Sequence, residues 1–272
     1  VNRHVEEEPV SDYETIRYEA AERLATITLD RPDKRNAMNA TMFTELGDAA
    51  ERAAGDEETR AVLVRGEGAS FCAGIDLTSL GDLMGADKDR IETFILTAQR
   101  PYRILQTMSK PVVAAVQGHA LGAGFQLALA CDLRVLGKDA SLGMLEIQFG
   151  IVPDLGGNHP LAALAGPSRA KELVWTGRKI DAAEADRLGL ATAVVPTERV
   201  GDEAESLARS LAAKPPLPVG YAKSIIAGAA ARGLEATMDE ERRAQLECLS
   251  SEDHREAVAA FFEKRPGDFR GR

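Results

Sequence analysis

The chain has 272 residues, of which 44% are hydrophobic and 28% charged, and carries a formal net charge of −10. That length admits one large domain or a domain with an appendage. The acidic balance argues against generic nucleic-acid or acidic-membrane binding, and no apolar run approaches the ~18 residues of a membrane helix. Residues 1–13 open on an acidic stretch, Glu6 to Glu8, with no apolar core, which excludes a signal peptide and predicts a flexible tail. Leu24 to Leu29 alternates apolar and polar side chains, so it reads as a strand, paired with Thr15 to Tyr18 through a turn at Ala20 to Arg23. Asp30 to Asn36 is a loop. The spacing of Met42, Leu46, Ala49 and Ala50 predicts a helix over residues 41–54. Ala61 to Arg65 is a strand closed by Gly66 and Gly68, and Phe71 to Leu77 is the turn that follows. Residues 79–90 are polar and glycine-containing, which suggests mobility. A long amphipathic helix is expected over residues 91–108, with Pro101 as a kink or break.

The most informative stretch runs from Lys110 to Gly157. Pro111 to Val116 is a short apolar run bounded by proline and glycine. It suggests a buried strand, although periodicity does not separate it from a helix. Gly118 to Gly124 is a turn of small residues, and Phe125 to Cys131 reads as an apolar helix. A glycine turn feeding a helix leaves backbone N–H groups unpaired at the positive end of the helix dipole. An oxygen acquiring negative charge would be well placed there. A second strand follows at Leu133 to Leu136. Then come Glu146 and Asp154, two carboxylates in an otherwise apolar, glycine-rich segment. A carboxylate among apolar residues is costly unless it is partnered or used.

Helices are expected over residues 167–176 and 182–188. Asp181 and Glu184 have capping-box spacing at the start of the second. Ala191 to Val195 is a further strand. After Pro196 only helical patterns remain. Strands alternating with helices to about residue 196, then helices alone, predict an α/β core over 14–196 and a helical region over 197–272. Cys72, Cys131 and Cys248 are odd in number, widely spaced and without a Cys-x-x-Cys pattern. They read as reduced thiols of a cytoplasmic protein.

Five segments in order resemble the enoyl-CoA hydratase/isomerase, or crotonase, superfamily. They are Arg31 to Met38, Phe71 to Leu77, Lys110 to Leu133, the group Thr176 to Leu190, and Phe261 to Arg265. The resemblance implies a spiral of β-β-α turns followed by an α-helical trimerisation region, assembled as a homotrimer or a dimer of trimers. It also implies an acyl-CoA thioester as substrate, coenzyme A being part of that substrate, and calls for no metal or redox cofactor, while the acidic balance argues against a nucleic-acid partner.

By the same resemblance the backbone N–H groups of Ile75 and Ala123 form an oxyanion hole for the thioester oxygen of an enolate. Losing one such donor typically costs on the order of 3 kcal/mol of transition-state stabilisation. Family hydratases activate water with two glutamates. Here the first position holds Gln126, which does not exchange protons in this pH range, and the second holds Glu146. That pattern suits double-bond isomerisation by one base, Glu146, acting at C2 and C4. Asp154 has the spacing of an acid found in dienoyl-CoA isomerases and in ring-opening isomerases of phenylacetyl-CoA breakdown. It is therefore a second acid–base group, the principal one, or a turn aspartate after Pro153. The remaining readings are hydration, with Asp154 replacing the missing glutamate, and an inactive CoA- or RNA-binding scaffold.

Lys34, Arg35 and Lys264 are candidates to meet CoA phosphates or adenine. Ala37, Ala73, Leu77 and Gly122 complete the expected CoA and substrate contacts. Asp76 reads as a turn residue holding the first oxyanion loop. Phe262 is expected near a neighbouring subunit or the CoA. His119 and His159 lack metal-ligand spacing and read as structural or as polar lining. Residues 79–100 are expected to wall the acyl pocket.

Overall fold

The structure is a computed structural model and describes residues 13–82 and 84–272. The expected tail lies outside the described residues except for Tyr13, which packs half-buried against the core. Strands β1 (Ile16–Ala21) and β2 (Leu24–Leu29) form an antiparallel hairpin. Its turn needs only Glu22 and Arg23, both at positive φ, so β1 runs three residues further than its sequence pattern suggests. Helix α1 (Ala40–Gly55) starts at Asn39, whose side chain accepts a 2.9 Å bond from the Met42 N–H. Strand β3 (Ala61–Gly66) then pairs parallel to β2. Residues 77–82, partly inside the stretch expected to be mobile, form the short helix α2 (Leu77–Asp82). Helix α3 (Lys88–Thr107) begins under an Asp87 cap and carries Pro101 in its interior without ending there.

The chain continues through β4 (Val112–Val116), β5 (His119–Leu121) and α4 (Ala123–Ala130). Next come β6 (Leu133–Gly137), β7 (Ser141–Gly143), a single 3-10 turn at Glu146–Phe149, and α5 (Asn158–Ala165). Helix α6 (Pro167–Thr176), the short strand β8 (Ile180–Asp181), α7 (Ala182–Arg187) and β9 (Ala193–Val195) close the mixed region. Four helices follow: α8 (Val200–Ala212), α9 (Pro216–Arg232), α10 (Leu234–Ser250) and α11 (Glu252–Glu263).

The large sheet has the order β1-β2-β3-β4-β6-β9, parallel from β2 onward, and a small sheet has the order β5-β7-β8. Two successive units, β4-β5-α4 and β6-β7-α5, place one strand in the large sheet and one in the small sheet before turning into a helix. This is the β-β-α spiral expected from the resemblance. Strand β4 is buried along its whole length, which is why its pattern is a continuous apolar run rather than an alternation. Within β3 the two faces separate by alternation. Val62 and Val64 enter the main core with α1 and α4, whereas Ala61 and Leu63 pack with Val200, Ala204 and Ala208 of α8.

Helices α9 to α11 contrast with that core. No residue of α9 is buried. It is held by Lys223, whose ammonium donates to the Leu105 and Lys110 carbonyls at 2.9 and 3.0 Å and pairs with Asp132 at 2.8 Å. Among the described residues no helix is long and apolar enough to cross a membrane.

Candidate active site

The expected turn at Phe71 to Leu77 is stitched to the β4–α4 connection by backbone bonds. Phe71 N–H donates to Gln117, Cys72 N–H to His119, and Leu121 N–H to the Cys72 carbonyl at 3.0 Å. Gly124 permits this approach. A Cβ there would lie 2.3 Å from the Cys72 oxygen, where no atom fits. Gly74, at φ +105°, sits against the same connection. A Cβ on it would be 2.8 Å from the Leu121 oxygen and 3.9 Å from the Ala123 nitrogen. The Ile75 and Ala123 segments are thus brought side by side. Ala123 is the first residue of α4, so no carbonyl of its own helix is available to its N–H. Gly122 precedes it at positive φ, where a side chain would be strained. The helix begins two residues earlier than its apolar pattern indicates, and the strand β5 occupies part of the expected turn.

These loops face a cavity of about 890 Å³. Ala37, Ala73, Gly74, Ile75, Gly122 and Ala123 form one side. Helix α3 forms another, with Ile91, Phe94, Ile95 and Ala98 presented at helical i, i+3, i+4, i+7 spacing. The expectation that residues 79–100 supply a wall holds for this face of α3. Phe94 also packs edge-on against Phe43 of α1, with ring centres 5.8 Å apart.

Gln126 and Glu146, twenty positions apart, meet at the cavity wall. The Gln126 amide Nε2 donates to Glu146 Oε1 at 2.7 Å. Its carbonyl oxygen accepts from the backbone N–H groups of Leu155 (2.9 Å) and Gly157 (3.2 Å). Both lone pairs of that oxygen are therefore occupied. Glu146 is 8% exposed, and its second oxygen, Oε2, is buried without a hydrogen-bond partner among the described residues. Burial raises the proton affinity of this carboxyl. Its own backbone N–H and the Gln126 amide oppose the rise, and nearby Asp154 adds to it. Asp154 lines the same cavity, and its pKa is also raised by burial, against the pull of its own backbone N–H. The Asp154 backbone is pinned through its carbonyl, which accepts from Gln99 of α3 at 2.6 Å.

Of the other expected contact residues, Lys34, Asp76 and Leu77 lie on the cavity wall. Asp76 holds its loop as expected. It accepts from the Thr78 hydroxyl and backbone N–H, which with Arg31 keep its carboxyl below the usual range. Arg35, Phe262 and Lys264 are not brought to the cavity within one chain. Arg35 is exposed at a left-handed backbone position, and its carbonyl rather than its side chain reaches the site, accepting from the Ala73 N–H at 2.9 Å. Phe262 is 78% exposed on α11, against Phe261, and Lys264 is the left-handed cap of that helix. His119 is held at 3.0 Å from the Ser70 hydroxyl, in keeping with a structural role.

Two supporting residues escape the sequence reading. Arg31 pairs with Asp76 at 3.0 Å and donates to the Ala37 carbonyl, strapping the first loop across the mouth. Tyr102 reads as one more core residue of the α3 stripe. Its buried hydroxyl donates to the Ala123 carbonyl at 3.0 Å, bracing the first turn of α4. No spacing rule ties either residue to its partner.

The enoyl-CoA hydratase/isomerase family model matches residues 19–272. The 2,3-dehydroadipyl-CoA hydratase of Escherichia coli is 36% identical over 251 residues, covering 92% of this chain and 96% of its own. The crotonyl-CoA hydratase of Syntrophomonas wolfei is 34% identical over 262 residues, covering 94% and 98%. Among solved structures, an enoyl-CoA hydratase from Bacillus anthracis superposes with a TM-score of 0.89 at 32% identity, over 95% of this chain and all of its own. A CoA complex from Thermobifida fusca superposes with a TM-score of 0.80 at 38% identity, over 87% of this chain and 93% of its own. With the paired loops, the glycine contacts and the spiral already described, these matches show that the chain belongs to the enoyl-CoA hydratase/isomerase family, acting on acyl-CoA thioesters.

Proposed function

We propose that the chain moves a carbon–carbon double bond within an acyl-CoA, converting a 3-enoyl or dienoyl thioester to its conjugated isomer. The observation that carries this reading is the state of Gln126. Adding water requires a group that takes the water's proton. An amide does not take it, and the only acceptor atom of Gln126 is filled by Leu155 and Gly157. One carboxyl at the wall, Glu146, remains beside Gly122 and the start of α4. In the proposed reaction the thioester oxygen sits between the Ile75 and Ala123 N–H groups. Glu146 removes a proton from C2, the electron pair delocalises onto that oxygen as an enolate, and the proton returns at C4 as the double bond shifts. Charge on the oxygen is met by two backbone dipoles and the α4 N-terminus. Asp154, held close by the same loop, assists as a second acid–base group. Coenzyme A enters and leaves as part of the thioester, with Lys34 at the mouth to meet its polar portion.

The relatives named above carry hydratase names, so hydration with Asp154 in place of the missing glutamate is the reading to test against. The experiment supplies 3-enoyl-CoA and 2-enoyl-CoA to the wild type, Glu146→Gln and Asp154→Asn. Double-bond migration that falls by about 10²–10⁴-fold in Glu146→Gln is expected. Water addition to 2-enoyl-CoA faster than migration, and dependent on Asp154, would overturn the isomerase reading. The same family membership supports a homotrimer or a dimer of trimers. Exposed Ile226, Leu234, Met238, Leu246 and Phe261 on α9 to α11 are apolar surface that a second copy would cover.

A further inference from the structure

We infer that Tyr102 is a positioning residue for the oxyanion hole, its hydroxyl holding the Ile75 and Ala123 segments at their working separation. The inference rests on the oxyanion pair of the proposed function but not on its isomerase step.

Backbone bonds join the two segments only part of the way. The pairing runs from Phe71 with Gln117 to Cys72 with His119 and Leu121. Among the described residues no backbone bond links the two segments beyond Leu121. Both donors, Ile75 and Ala123, lie past that last rung, and there each segment turns to a different partner. The first turns to Met38. The Met38 N–H donates to the Gly74 carbonyl and the Met38 carbonyl accepts the Asp76 N–H, both at 2.8 Å, on either side of Ile75. The second turns to Gly143, whose carbonyl accepts the Gly122 N–H at 2.8 Å.

Tyr102 bridges the gap. Its hydroxyl oxygen lies 3.0 Å from the Ala123 carbonyl and 3.3 Å from Met38 Sδ. A phenol has a single proton, and a thioether is a weak acceptor, so the proton goes to the carbonyl and the sulfur packs against the same oxygen. One atom thus touches the residue that carries one donor and the residue that flanks the other.

The ring is 1% exposed, and the other rings under 2% exposed, Phe43, Phe71 and Phe125, carry no polar atom. A buried hydroxyl costs free energy when unpaired and gains little when paired, so filling space does not account for a tyrosine here. The same turn of α3 is fixed by Gln99, which donates to the Asp154 carbonyl at 2.6 Å. Burial raises the Tyr102 pKa well above the ordinary phenol value, and nearby Cys72, Glu146 and Asp154 add to the rise. The hydroxyl therefore stays a donor whatever the charge on the two carboxyls. Without it the Ala123 peptide is free to drift from Ile75. The enolate oxygen then loses one well-aimed donor, while ground-state binding, which draws on the rest of the cavity, changes little.

Acetoacetyl-CoA reads the hole directly. Its enolate forms by releasing a proton from the carbon between its two carbonyls to the buffer, and absorbs in the ultraviolet. The ratio of enolate to keto form in the saturated complex would be measured for the wild type, Tyr102→Phe and Leu105→Val, alongside thermal melting. Phenylalanine fills the same space, and Leu105→Val loosens the same helix without touching a hydroxyl. Tyr102→Phe is expected to lower the ratio by about tenfold, and to lower kcat similarly with KM within about threefold. Leu105→Val is expected to leave the ratio within about twofold. A ratio in Tyr102→Phe within threefold of the wild type would overturn the inference. So would an equal fall in Leu105→Val, or a Tyr102→Phe chain that does not fold, because the hydroxyl would then serve the core rather than the hole. A wild type that forms no enolate would remove the oxyanion pair and the inference together. A ratio that falls only in Tyr102→Phe, in a protein that migrates no double bond, would leave the inference standing and remove the isomerase reading instead.

Discussion

The floor and the α3 wall of the cavity are built on opposite principles. At the floor the Gln126 amide nitrogen and oxygen each have a named partner, Gly74 and Gly124 hold two chain segments closer than a side chain permits, and Gly122 supplies the positive φ between them. Along the wall, contact is apolar, side chains are half-exposed, and no hydrogen bond positions them. The difference teaches that chemistry here depends on backbone geometry with no slack, whereas substrate choice depends on a surface that tolerates exchange. Substitutions at the floor should cost rate, and substitutions along the wall should redirect it.

Gly124→Ala is the most severe break in the backbone geometry. The new methyl would sit 2.3 Å from a backbone oxygen, so the two oxyanion segments must separate. Activity is expected to fall by about 10²–10³-fold. Stability should fall by about 1–3 kcal/mol in a denaturant titration. Retained activity would mean that the close approach of the loops is irrelevant to the reaction.

Gln126→Leu and Asp154→Asn should move the acid limb of the pH–rate profile in opposite directions. The reaction needs ionised Glu146, so its raised pKa places the loss of rate above the ordinary carboxylate range. Leucine removes an N–H that favours the ionised form, and the limb should move to higher pH. Asparagine removes a charge that disfavours it, and the limb should move to lower pH. Shifts in the same direction would show that Gln126 does not act through the Glu146 carboxyl.

The same carboxyl gives a smaller effect on stability. Its folded pKa is raised, so its favourable contribution is complete below the unfolded value of about 4.3 and is lost as pH rises through the folded value. At neutral pH the ionised group therefore destabilises the fold. Glu146→Gln, which keeps an acceptor for the Gln126 amide, should melt higher than the wild type at pH 7, with the difference vanishing near pH 4. A lower melting temperature at pH 7 would contradict the cost assigned to burial. Smallest of all, Ile95→Ala should leave the maximal rate with its best substrate within about twofold, since it touches no group at the floor.

Much of this was legible in the residues. Strand β2 and helix α1 follow their periodicity, β3 and β4 read as short apolar runs bounded by glycine or proline, and the backbone-rich start of α4 follows from glycines ahead of an apolar run. The small sheet was not legible, because β5, β7 and β8 are too short for an alternation to register. Helix α5 was hidden by Pro160 and the preceding glycines. At the site, the approach of Gln126 to Glu146 came through resemblance. Leu155 and Gly157 close that arrangement with backbone groups, which side-chain patterns do not encode. Arg35, Phe262 and Lys264 carry the right chemistry in their motifs, yet within one chain their side chains do not reach the cavity.

The most direct test is the mass of the product formed from 3-enoyl-CoA in water enriched in oxygen-18. A conjugated 2-enoyl-CoA that carries no oxygen-18 is expected from the wild type, and its formation should collapse in Glu146→Gln. A principal product that has gained one labelled water, or migration that persists without the Glu146 carboxyl, would contradict the assignment of proton transfer to this residue.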